Sequence, residues 1–225
     1  MTLDADIALP PDLSVKGQNV RERLLAHGFS EHRFGEDNLH VTHYHPLDSR
    51  SGFFAEFLTP LKGGEHHRSR VRKTTRRIAG VASRQLTCLE ILLLAPWSVD
   101  LDEPKGFPLA GRETVRVANP SAFLAHTVLV YAKRRRAGFA KDLLYIYDTL
   151  ESFGARLVDL RREWQVQVRP RLHRRTALTV ELGANTLFGE VNDSVRSAAR
   201  MAGDRKRTPE AIREACGFGL DEVFG

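Results

Sequence analysis

Asp4 and Asp6 are two carboxylates separated by one residue, and Leu3, Ala5 and Ile7 alternate with them. A period of two is the strand period, so both acids share one face, about 7 Å apart along the strand. Like charges so placed repel each other. A divalent cation between them removes that cost, and carboxylate oxygens suit Mg²⁺. Glu56 is the candidate for a third ligand. It lies in the run Phe53-Phe54-Ala55-Glu56-Phe57-Leu58, where an unpartnered carboxylate is costly to desolvate. Two metal ions held by three such acids activate an attacking hydroxyl and stabilise the leaving oxygen in phosphoryl or nucleotidyl transfer. Taken alone, the Asp-x-Asp spacing is a weak signal that reads more readily as two solvated acids.

These acids need strands to hold them. Residues 3–9 alternate as a strand that ends at Pro10-Pro11, and residues 15–27 read as a helix closed by Gly28. Residues 29–34 and 39–45 read as strands joined by the turn Gly35-Glu36-Asp37-Asn38. Residues 51–58 form a further strand, with Phe54, Glu56 and Leu58 on one face. Residues 62–79 are polar and basic and read as a surface loop, while residues 86–94 are apolar without a deciding period. Residues 114–118 read as a short strand.

Asn119-Pro120-Ser121 then starts a helix, with Asn as N-cap and Pro at the first helical position, running to about Arg136. Further helices are expected over 141–152, 155–168, 191–201 and from Thr208-Pro209 onward; residues 176–182 read as strand or helix. The fold class expected is α+β: a mixed β-sheet core over residues 1–118, followed by a helical region over 119–225.

Four segments occur in a fixed order: Thr2-Leu3-Asp4-Ala5-Asp6-Ile7-Ala8, Phe54-Ala55-Glu56-Phe57-Leu58-Thr59-Pro60-Leu61, Val115 through His126, and Lys141-Asp142-Leu143-Leu144. In that order they resemble the bacterial nucleotidyltransferase-like families related to abortive-infection, type IV toxin–antitoxin, toxins. The resemblance covers roughly residues 1–165. It implies a nucleotidyltransferase core in which Asp4, Asp6 and Glu56 bind two Mg²⁺ ions and an NTP is the substrate. It places Lys141 and Asp142 near the nucleotide, with Lys141 neutralising triphosphate charge. The implied activity moves a nucleoside monophosphate onto an RNA or protein acceptor, as a toxin restrained by an antitoxin protein.

The chain departs from the family pattern in three places. Glu56 stands where Asp is more usual. Thr127 follows His126 where relatives tend to carry lysine. The Gly-Ser turn that cradles the triphosphate ahead of the Asp-x-Asp strand does not stand before Asp4, so the core reads as N-terminally incomplete. These departures motivate a second reading, an inactive basic protein on the same fold that binds nucleic acid or a partner.

The charge balance suits either reading. There are 34 Lys and Arg against 28 Asp and Glu, a net charge of +6, and the positive charge is clustered at residues 66–77, 133–136, 161–162 and 169–175. Such clusters fit a phosphate-bearing partner or solvated faces. His43 and His45 share a strand face, which permits a metal pair, but no cysteine or third ligand stands near in sequence. His126 reads as a packed or capping histidine. Cys88 and Cys216 form no Cys-x-x-Cys pair, which argues against a zinc site. Phosphate-loop, dinucleotide, esterase and zincin motifs do not occur in the chain. No apolar run approaches the ~20 residues that span a membrane, and no signal peptide is visible, so a cytoplasmic protein is expected.

Overall fold

The computed structural model describes residues 4–34, 41–48, 52–61, 75–107, 109, 111–133, 140–205 and 207–225. The chain divides into two compact units, Met1–Leu93 and Leu94–Gly225. A mixed β-sheet followed by helices makes the fold α+β.

Among the described residues the first unit is built on a six-stranded sheet. Its strands are β1 (Asp4–Ala8), β2 (Phe29–Phe34), β3 (Val41–Pro46), β4 (Phe54–Pro60), β5 (Thr75–Ile78) and β6 (Val81–Leu86). β4 is central: it pairs parallel with β1, antiparallel with β3 and parallel with β6. Centrality fits its sequence, because every residue from Ala55 to Pro60 is buried. One face of the sheet carries Tyr44, Ala55, Phe57, Ile78 and Val81, packed with Leu9 into an apolar core. Tyr44 and Phe57 meet edge to face with ring centroids 5.4 Å apart. Val20 and Leu24 of helix α1 (Val20–Ala26) pack against this core.

The helix starts later than the expected residue 15. Asn19 and Glu22 form a capping box, in which the Glu22 N–H donates to Asn19 Oδ1 at 2.9 Å and the Asn19 N–H donates to Glu22 Oε2 at 3.0 Å. The positive φ of 80° at Gly17 precludes helix just before it.

Part of the expected loop over residues 62–79 is strand, since β5 and β6 form a hairpin in which Ile78 opposes Val81. Its two turn residues, Ala79 and Gly80, have φ of 48° and 87°, as a tight hairpin requires. The turn also abuts α1: the Val20 N–H donates to the Ala79 carbonyl at 2.9 Å. A Cβ on Gly80 would lie 2.4 Å from Asn19 Oδ1, so only glycine leaves the cap intact. Residues 62–74 and the turn Gly35-Glu36-Asp37-Asn38 lie outside the described residues. Residues 86–94 resolve into a short 3₁₀ segment, Leu89–Leu93.

The second unit opens with a two-stranded sheet, β7 (Trp97–Leu101) and β8 (Glu113–Val117). Among the described residues six α-helices follow: α2 (Pro120–Lys133), α3 (Ala140–Ser152), α4 (Leu157–Glu163), α5 (Arg174–Leu187), α6 (Asp193–Met201) and α7 (Pro209–Phe224). The ambiguous residues 176–182 are helix, inside α5. The helix expected over 155–168 is broken: a 3₁₀ turn precedes α4, and a π-helical turn, Trp164–Val168, follows it. That turn keeps Trp164 and Val168 buried, and Trp164 packs edge to face on Phe224 at 4.8 Å.

The Asn119-Pro120-Ser121 cap forms as expected and also ties α2 to α4. Asn119 Oδ1 accepts from the Ser121 N–H at 2.9 Å, and its amide donates to Glu163 at 2.9 Å. The Ser121 hydroxyl donates to the Leu160 carbonyl at 2.7 Å.

Candidate active site

The parallel β1–β4 ladder pairs Asp4 with Phe54 and Asp6 with Glu56. Paired residues in a parallel ladder share a face, so Asp4, Asp6 and Glu56 project together, opposite to the Tyr44 and Phe57 core. On the next strand His43 is the register partner of Glu56. A row of Asp6, Glu56 and His43 therefore crosses three adjacent strands. The row exists because the β1–β4 and β3–β4 registers set Asp6 and His43 opposite Glu56.

The members differ in environment. Asp4 and Asp6 are exposed, while Glu56 is 6% exposed. Glu56 is met by Arg84, in β6 two residues along the register, since Arg84 pairs with Leu58. Arg84 Nη2 donates to Glu56 Oε2 at 3.2 Å, and Arg84 Nε stands 2.9 Å from Oε1. That second approach is an ion-pair contact but not a hydrogen bond, and among the described residues Oε1 and Nε have no other hydrogen-bond partner. Burial pushes the Glu56 carboxyl above its ordinary range. Arg84 works against that, and the charges of Asp6 and Asp4 push it further up. Taken together these four groups carry three negative charges and one positive.

His43 lies flat against Phe54, with centroids 3.9 Å apart and planes 10° from parallel. Burial, then His45 and Arg84, hold its imidazole below the ordinary range, with Asp4 opposing. His43 and His45 have ring centroids 6.0 Å apart, and both pack on Phe54. Among the described residues no group of three His, Cys, Asp or Glu side chains stands ready to hold a metal ion. The donor set nonetheless suits a hard divalent cation. Asp4, Asp6 and Glu56 would supply carboxylate oxygens from one face, and the buried Glu56 Oε1, which makes no hydrogen bond, faces Arg84 Nε at 2.9 Å.

Arg84 went unread in the sequence because its strand did. The signal available was Val81 and Ser83, both buried, alternating with Arg84.

The chain from residue 1 to residue 168 matches the family model described as Nucleotidyltransferase. The chain belongs to this nucleotidyltransferase family. No curated protein and no solved structure matches it. The family assignment covers all of the first unit and extends through the π-helical turn of the second.

Lys141 and Asp142 belong to the second unit, in the first turn of α3. The Lys141 ammonium sits 5.3 Å from the centroid of the Tyr145 ring. Thr127, where a lysine was expected, is 6% exposed and donates its hydroxyl to the Phe123 carbonyl at 2.8 Å. It is a packed helix residue.

Several arginines of the helical unit, Arg161 and Arg169 of the basic clusters among them, are engaged within that unit. Arg169 pairs with Glu181 at 2.7 Å, Arg205 with Asp148 and Arg207 with Glu151, and Arg161 approaches the Asp221 and Gly225 carbonyls at 3.5 and 3.4 Å. Residues 66–74 and 134–136 lie outside the described residues. No helix among the described residues is long and apolar enough to cross a membrane.

Proposed function

We propose that this member of the nucleotidyltransferase family is a metal-dependent enzyme that transfers a nucleoside monophosphate from an NTP to an RNA or protein acceptor. The observation that carries the reading is the register of Asp6 on Glu56, with Asp4 two residues away on the same face. In this reading Asp4, Asp6 and Glu56 hold two Mg²⁺ ions, whose charge polarises the phosphoryl group and stabilises the leaving pyrophosphate. The protein's part is to hold three carboxylates at one end of a rigid sheet, with Glu56 fixed by burial. Lys141 and Asp142 enter as nucleotide contacts through the family resemblance. A toxin role, with an antitoxin as partner and the cytoplasm as compartment, rests on that resemblance too.

Incubation with each α-labelled NTP, Mg²⁺ and a mixture of RNA and protein acceptors tests the proposal. Label is expected on one acceptor class and is expected to vanish in the Asp4→Ala, Asp6→Ala double variant. Absence of transfer with all four NTPs would count against it.

The second reading, an inactive polyanion- or partner-binding protein on this fold, is favoured by one observation: Glu56 is already engaged by a cation of the chain itself, Arg84. It predicts salt-dependent RNA binding that survives the double substitution, with no transfer. Binding that is absent at low salt would sink it.

A further inference from the structure

A carboxylate that must ligate a metal is held here by a guanidinium, and we infer that Arg84 is a built-in counter-cation that occupies Glu56 until a divalent ion displaces it. The inference rests on the metal-dependent reading above and assigns Arg84 a positioning role in it.

Two observations support displacement over a permanent structural pair. First, the two partners are unequally anchored: the Glu56 side chain is 8% exposed and the Arg84 side chain 41%. Arginine reaches Glu56 along a flexible stem from a register position two residues away, so Arg84 is the partner free to leave. Second, the pair is incomplete. A guanidinium and a carboxylate at their best make two parallel hydrogen bonds. Here one is made, and Nε and Oε1 face each other at 2.9 Å without forming the other.

Arg84 therefore does two opposed things. Without metal it relieves the repulsion among the carboxylates and the cost of burying Glu56. With metal present it is a competitor, and every binding event includes the cost of breaking its charge-assisted contact. Divalent binding by the intact chain is weaker than the ligand set alone would give.

The test is Mn²⁺ binding to the full chain, followed by loss of the free-ion electron paramagnetic resonance signal, for the wild type and for Arg84→Gln, Arg84→Lys, Glu56→Gln and the Arg84→Gln, Glu56→Gln pair. Arg84→Gln is expected to bind Mn²⁺ roughly tenfold more tightly than wild type, the order expected for removing one charge-assisted hydrogen bond. The gain is expected to disappear when Glu56→Gln is added. Arg84→Lys, which keeps a cation but loses the fork, is expected between the two and decides the matter by the same criterion if Arg84→Gln does not fold. A thermal melt reports folding, and Mn²⁺ is expected to raise the Tm of Arg84→Gln more than that of wild type. Wild-type affinity or weaker in the folded Arg84 variants, with binding still lost in Glu56→Gln, would overturn the role of Arg84 and leave the metal site standing. Failure of every protein, wild type included, to bind Mn²⁺ would overturn both.

Discussion

Asp6 and Glu56 are register partners in the parallel β1–β4 ladder. Residues so paired stand about 4.8 Å apart across the strands, which brings together two acids fifty positions apart in sequence. The proposed metal site follows from that pairing, and several consequences of the surrounding fold are measurable.

Gly80 supports the site from behind. Its turn sets the β5–β6 hairpin that carries Arg84, and it lies against the Asn19 cap of α1. Gly80→Ala puts a Cβ in the left-handed region and drives it into Asn19. The expected cost is about 2–3 kcal/mol, from backbone strain and a lost cap. Urea denaturation is the measurement, and a change below roughly 0.5 kcal/mol would contradict the packing described.

Glu31 gives the first unit an acid-sensitive contact. Its pairing with Arg21, at 2.7 Å, holds the carboxyl below its ordinary value of 4.5, against a smaller opposing effect of burial. A depressed folded value means the stabilisation is complete above 4.5 and is lost as pH falls through the folded value. Glu31→Gln is therefore expected to lower Tm near pH 7 and to flatten the decline of Tm below pH 4.5. Parallel curves for the two proteins at all pH values would show that the pair has no linkage to stability.

Asn119 is fully buried and serves two helices. Asn119→Ala removes the α2 cap and leaves Glu163 without that donor. A loss of about 2–3 kcal/mol is expected, read in the same denaturation experiment. Ser121→Ala is expected to cost less, about 1 kcal/mol, because it removes a single hydrogen bond. Equal and negligible effects would mean that this segment is not the link between α2 and α4.

Legibility in the sequence followed local chemistry. β1 was readable because its acids alternate strictly with apolar residues, and α2 and α7 because Asn119-Pro120 and Thr208-Pro209 are strong helix starts. Glu56 was readable as an anomaly in an apolar strand. The β5–β6 hairpin was not, because Ala79-Gly80 is a weak turn signal inside a basic run, and with it went Arg84. β7 was hidden because Trp97–Leu101 is short and depends on its partner β8. The π-helical turn after α4 was invisible because its apolar spacing still satisfies a helix. The pairing of Asp6 with Glu56 is a long-range register, set by the core packing of Tyr44, Ala55 and Phe57 on the opposite face, and no local pattern encodes it.

The strand carboxylates are expected to hold the divalent ions that drive nucleotidyl transfer. Transfer of labelled nucleoside monophosphate, measured against Mg²⁺ concentration in wild type and in Asp6→Asn, tests it most directly. Transfer is expected to require Mg²⁺ in the wild type and to fall at least about a hundredfold in Asp6→Asn, with the fold intact by circular dichroism. Transfer that persists in excess chelator, or an Asp6→Asn protein as active as wild type, would contradict it.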